Sequence, residues 1–149
     1  DNAQKNMEQI LTANNNNVDA VLAENDGMAG GVIAALEAQG LAIPVSGQDG
    51  DHAALNRVAR GTQLVSVWKD ARQLGAAAGN IAAALASGVA MSDIDGAVKW
   101  SGGANGVEMD AIFLAPTPIS ASNINVVIEA GHIAKDKVCA GAMDGVTGC

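Results

Sequence analysis

Three short polar clusters hold the residues of this chain best suited to chemistry: Ala23-Glu24-Asn25-Asp26-Gly27, Gly47-Gln48-Asp49-Gly50-Asp51 and Trp68-Lys69-Asp70. Amide, carboxylate and ammonium groups together can donate and accept hydrogen bonds to a ligand. Asp26, Asp49 and Lys69 could instead work as acid and base, since carboxylates with a nearby lysine suit proton transfer. Either use needs the clusters in one place. Each closes an apolar run, and three parallel strands would bring them to one sheet edge, where ligands bind in open α/β folds.

The elements that must position them follow from spacing. Met7, Ile10 and Leu11 mark an amphipathic helix over 4–13, stopped by the polar run 14–17. Residues 18–23 are apolar apart from Asp19 and read as a strand covered on both faces. Asp26 is placed to cap a helix with Ala29, Ile33 and Leu36 inside, ending near Gly40. A short strand over 43–46 follows, then a helix capped by Asp51, with Leu55, Val58 and Ala59 on one face and Gly61 at its end. A third strand spans 64–68. This alternation, with its short connections, predicts an α/β fold of three layers, a mostly parallel sheet with helices on both faces.

Beyond Lys69 the pattern changes. An Ala-rich helix over 70–87 carries Leu74, Ala78, Ile81 and Leu85 in one stripe, with Gly88 in the C-cap place. Residues 91–108 are polar, Gly-rich and irregular. A strand over 111–115 is closed by Pro116-Thr117-Pro118, which cannot continue a ladder. Ser122 is placed to cap a last helix bearing Ile124, Val127 and Ile128, ended by Gly131.

Composition narrows the function. A chain of 149 residues, 49% of them apolar, predicts about one domain with a real core. Its formal net charge of −8 argues against a nucleic-acid partner, which needs a basic surface. No run approaches the roughly 18 apolar residues of a membrane span, and the start lacks the regions of a signal peptide. Because it begins at Asp1 rather than Met, a processed or truncated product is expected. Cys139 and Cys149 lie in a Gly-rich tail over 134–149; a disulfide in an oxidising compartment is the expectation, free thiols the alternative. No metal site is expected, since structural sites take four ligands and neither His52 nor His132 has such company. There is no nucleophile elbow or phosphate loop to support an enzyme.

Asn25-Asp26 after the first strand, Gly47-Gln48-Asp49-Gly50-Asp51 after the second and Lys69 after the third resemble, in order and at compatible spacing, one bacterial family. It is that of the sugar-binding proteins of ABC transporters, the type I periplasmic binding proteins, and the similarity is nearest to their xylose-binding branch. It runs over about 2–133 and corresponds to the second half of a family member, with 118–123 resembling the segment that re-crosses the hinge. The resemblance implies the C-terminal lobe of a two-lobed protein that closes on a monosaccharide, D-xylose first, and delivers it to an ABC permease. It implies a periplasmic or otherwise exported location, no cofactor, no catalysis, and a membrane reached only through the permease. In the family, the residues matching Asn25, Asp49 and Lys69 hydrogen-bond sugar hydroxyls. A hydroxyl both donates and accepts, so an amide, a carboxylate and an ammonium suit it, and charge-assisted bonds are the stronger kind. Trp68 should point away from the site if Lys69 points in.

Each of these residues also has a structural reading. Asn25 and Asp26 can make a turn and a cap, with the cap assigned to Asp26; Asp51 takes the next cap and Asp49 the ligand. Lys69 could be merely solvated, Gln48 and His52 carry no distinct signal, and His132 reads as a surface residue complementing a helix dipole.

The departures from the family have consequences. Residues 1–69 and 110–133 match the sugar-binding lobe without its first strand. Residues 70–109 match a helix and an irregular segment that pack on the N-terminal lobe. That lobe has no counterpart here, so the chain is expected to be a fragment whose Leu74, Ile81 and Leu85 need it, or another chain, as cover. The effector domain of a LacI-type regulator shares the fold and is the first alternative; it would carry a basic headpiece and reduced thiols. A sugar-processing enzyme using Asp and Lys as acid and base is the second.

Overall fold

Met7 and Leu11, four residues apart, share one face of the first helix, α1 (Asn2–Ala13), and both are buried. The computed structural model describes residues 2–149. After α1 come α2 (Asp26–Ala38), β1 (Gln48–Asp49), α3 (His52–Ala59), β2 (Ser66–Trp68) and α4 (Ala71–Ala86). A 3-10 turn (Met91–Asp93) leads to β3 (Val98–Trp100), β4 (Met109–Ala111), β5 (Thr117–Ile119), α5 (Asn125–Glu129) and α6 (Lys135–Val138). The fold is α/β, and its residues divide into two units, one reaching to Lys69 and resuming over Pro116–Cys149, the other Asp70–Ala115. Among the described residues no helix is long and apolar enough to cross a membrane.

In the larger unit the expected helix faces are the buried ones. Ala29, Ile33 and Leu36 of α2 join Met7, Leu11 and Val45 in one apolar cluster. Leu55, Val58 and Ala59 of α3 join Trp68, Ile119, Ile124 and Val127 in a second. The caps differ from expectation. Asn25, not Asp26, caps α2, its Oδ1 accepting from the Met28 amide at 2.8 Å. Asp51 holds the cap position of α3 without a side-chain cap bond.

Strands are shorter than their apolar runs. The run 18–23 contributes one parallel bridge, Val21 to Val45, and the side chain of Leu22 is 86% exposed rather than covered. Pairing stops there because only Val21 exchanges both backbone bonds, its N–H donating to Pro44 O and its carbonyl accepting from Ser46 N. The sheet proper has the order β1-β2-β5, with β1 parallel and β5 antiparallel to β2. Pro118 does enter a ladder, opposite Val67. It is tolerated because β5 lies at the sheet edge, where a missing N–H faces no partner.

In the smaller unit, Asp70 caps α4 by accepting from the Arg72 amide at 3.0 Å. No residue of α4 is buried. The strand expected over 111–115 is instead β4, paired antiparallel with β3 inside the stretch read as irregular. Alternation of Val98 and Trp100 around Lys99 allows this hairpin, and Lys99 stands opposite Asp110 with an ion pair of 2.8 Å.

The last helix is shorter than expected, and Ser122 does not cap it. Asn123 closes the preceding turn, its Oδ1 accepting from Ser120 N at 2.7 Å. Nor is the tail loose: α6 packs on α3, Val138 and Val146 are buried, and Asn56 Nδ2 donates to the carbonyls of Val138 and Ala140 at 3.0 and 2.8 Å. Cys139 and Cys149 form a disulfide. Reducing and alkylating it should lower stability by about 2–3 kcal/mol, the entropy of the loop it closes, seen as a lower urea midpoint. An unchanged midpoint would mean that Val138 and Val146 hold the tail unaided.

Candidate functional site

The sheet edge brings two of the three expected ligand residues together. Lys69 Nζ lies 2.9 Å from Asp49 Oδ1, and the two side chains are 42% and 44% exposed. An ion pair so open to water is worth at most about 1 kcal/mol, so a ligand can separate or share it cheaply. Lys69 retains donors and Asp49 retains lone pairs, which lets one hydroxyl accept from the first and donate to the second. Asn25 lies at the start of α2, its oxygen engaged in the cap.

Asp49 pays for this position in backbone strain. Its φ of 108° lies outside the left-handed helical region of roughly +50 to +70° that Asp sometimes visits. The residues around it hold that conformation in place. Gly50 N donates to Asp26 Oδ2 at 3.0 Å and to Ser66 Oγ at 3.1 Å, and Asp51 N donates to Asp26 Oδ2 at 2.9 Å.

Asp26 is therefore neither a cap nor an exposed acid. Only 1% exposed, it accepts four hydrogen bonds: those two backbone amides, Ser66 Oγ at 2.7 Å and Gln63 Nε2 at 2.9 Å. Arg57 donates to the Asp26 carbonyl at 2.8 Å and to Gln63 Oε1 at 3.0 Å. Burial pulls the Arg57 guanidinium below its ordinary pKa, and the charges of Asp26 and Asp51 oppose that pull. The buried carboxylate thus ties the start of α2, the loop after Asp49 and the strand leading to Lys69 into one body.

Trp68 points into the core, 6% exposed, while Lys69 faces water, the alternation a strand requires. Its indole N–H finds no acceptor among the described residues. Against its ring lies His132, centroids 5.1 Å apart. His132 is thus a packed residue and not a surface complement to a helix dipole. The sequence reading missed the roles of Gln63, Ser66 and His132; a polar residue at an inward position of an apolar strand was the available signal for Ser66 alone.

The sheet edge thus presents an exposed acceptor and donor pair over a buried polar frame. The chain belongs to the periplasmic binding protein domain family, whose model matches residues 1–90. It is similar to the D-xylose-binding periplasmic protein of Escherichia coli (strain K12), 51% identical over 90 residues, 59% of this chain and 27% of that protein. It is also similar to the D-xylose-binding periplasmic protein of Haemophilus influenzae, 41% identical over 135 residues, 89% of this chain and 39% of that one. The chain thus spans 27% to 39% of the length of these relatives. Among solved structures it resembles a carbohydrate transporter solute binding protein from Chloroflexus aurantiacus in complex with D-glucose. The TM-score is 0.77 at 26% identity, covering 91% of this chain and 40% of that one. Family and disulfide agree on an oxidising, periplasmic setting, and the family is one of binding proteins rather than enzymes.

Proposed function

We propose that this chain forms part of the solute-binding component of an ABC sugar importer and supplies one wall of an interlobe cleft for a monosaccharide, D-xylose first. The half-exposed Asp49–Lys69 pair at the sheet edge carries the reading. In this reading Lys69 donates to, and Asp49 accepts from, neighbouring sugar hydroxyls, and Asn25 offers its free amide N–H groups to a third. The wall is the C-terminal lobe of a three-layer type I fold. The N-terminal lobe, or another chain, covers Leu74, Ile81 and Leu85 of α4, and the closed form docks on the permease. The likeness to relatives named for D-xylose supports the choice of sugar. The Cys139–Cys149 bond counts against a cytoplasmic regulator.

One wall encloses little of a ligand, so binding to the chain alone is expected to be weak and is best followed by amide chemical shifts during a D-xylose titration. Asp49→Ala should weaken that binding roughly tenfold or more, the worth of a charge-assisted hydrogen bond, while the fold persists because the side chain lies outside the core. A variant that binds D-xylose like the parent would remove Asp49 from the site, and micromolar binding by the chain alone would contradict the single wall.

A further inference from the structure

One imidazole touches the neighbours of both members of the ion pair. His132 Nε2 lies 2.7 Å from the carbonyl oxygen of Gly50, the residue after Asp49. Its ring packs on that of Trp68, the residue before Lys69. His132 is itself held: His52 Nε2 lies 2.9 Å from the His132 carbonyl, and the two imidazoles meet edge to face at 5.2 Å. Carbonyl oxygens only accept, so each Nε2 carries the hydrogen. Nε2 keeps it in the neutral and in the charged ring alike.

Gly50 is consequently gripped from two sides. Its N–H is bound by Asp26 and Ser66, and its C=O by a residue 82 positions away in sequence. Asp49 sits immediately before this grip with φ 108°. A strained residue persists only when its surroundings over-determine it. The buried carboxylate fixes one side of the Gly50 peptide frame and the imidazole the other.

We propose that His132 is a positioning residue for the binding loop: by donating to the Gly50 carbonyl while stacked on Trp68, it holds Asp49 in its strained backbone conformation and presents the carboxylate beside Lys69. The consequence for affinity rests on the sugar-binding reading above, whereas the consequence for the loop does not.

Two variants separate the donor from the ring. His132→Phe keeps an aromatic ring on Trp68 but has no donor, and His132→Gln keeps a donor but no ring. His132→Phe is expected to speed hydrogen exchange at the Gly50 and Asp51 amides and to weaken D-xylose binding roughly threefold to tenfold, the worth of one hydrogen bond, with the thermal midpoint near the parent's. His132→Gln should recover much of both. Parent-like exchange in His132→Phe, or exchange as fast in the Gln variant as in the Phe variant, overturns the proposal. If His132→Phe does not fold, His132→Gln decides alone: parent-like exchange supports the donor, and fast exchange overturns it. A parent protein that gives no response to D-xylose would defeat the sugar reading and leave the exchange contrast to judge His132.

Discussion

Asp26→Asn is expected to lower stability by about 3–5 kcal/mol, the cost of removing one partner from a buried charged network, although the two side chains have almost the same shape. All four groups at the Asp26 carboxylate are donors: Gly50 N, Asp51 N, Ser66 Oγ and Gln63 Nε2. An asparagine must point its own NH2 at some of them. Turned toward Oδ2, it leaves the Asp51 amide unpaired and the Gly50 amide with Ser66 Oγ alone. Turned toward Oδ1, it faces the Gln63 amide, which cannot flip to help. Gln63 Oε1 is committed to Arg57 Nε at 3.0 Å and its Nε2 also donates to Val65 O at 3.1 Å. The crowding around the carboxylate leaves no slack, for a Cβ on Gly47 would run into Asp26 Oδ1 and Gln63 Nε2. Urea denaturation followed by circular dichroism measures the effect. A loss below about 1 kcal/mol, the worth of one ordinary hydrogen bond, would show that the network relaxes around the substitution and that Asp26 is not what binds the clusters together.

That role was only half legible in the sequence. The three polar clusters, the helices and their buried faces could be read because helical periodicity and stop residues are local properties. The choice between Asn25 and Asp26 as cap could not, since both residue types cap well and one position of phase decides which side chain turns inward. The reading gave the inward residue the exposed role. Strand lengths were overestimated for a related reason: an apolar run shows that a segment will be buried, while a ladder requires partners whose backbone bonds match. Val21 finds them at Pro44 and Ser46. Leu22 remains uncovered. Pro118 was judged unfit for a ladder because edge and centre cannot be told apart before the sheet order is known. His132 escaped for want of any local signal, its partner being Gly50, 82 residues earlier.

Gly50→Ala should cost about 2–5 kcal/mol and disable the binding loop even in molecules that fold. Two penalties add at this position. Gly50 has φ 76°, where an L side chain costs roughly 1–2 kcal/mol. A Cβ there would also strike Cδ1 of Trp68 and crowd its Cγ and Cβ, and overpacking of a rigid core residue costs about 1–3 kcal/mol. Trp68 cannot step aside, because Leu55, Val58 and Ile119 share its buried cluster and His132 covers its ring. The backbone must move instead, which draws the Gly50 amide away from Asp26 and Ser66 and its carbonyl away from His132. Asp49 then loses the restraints on its strained φ and its fixed place beside Lys69. Chemical denaturation measures the first effect and a D-xylose titration at low temperature the second. A variant of parental stability would show that the loop and Trp68 adjust together; one that is destabilised yet binds D-xylose as the parent does would show that the fixed backbone of Asp49 is dispensable for the sugar.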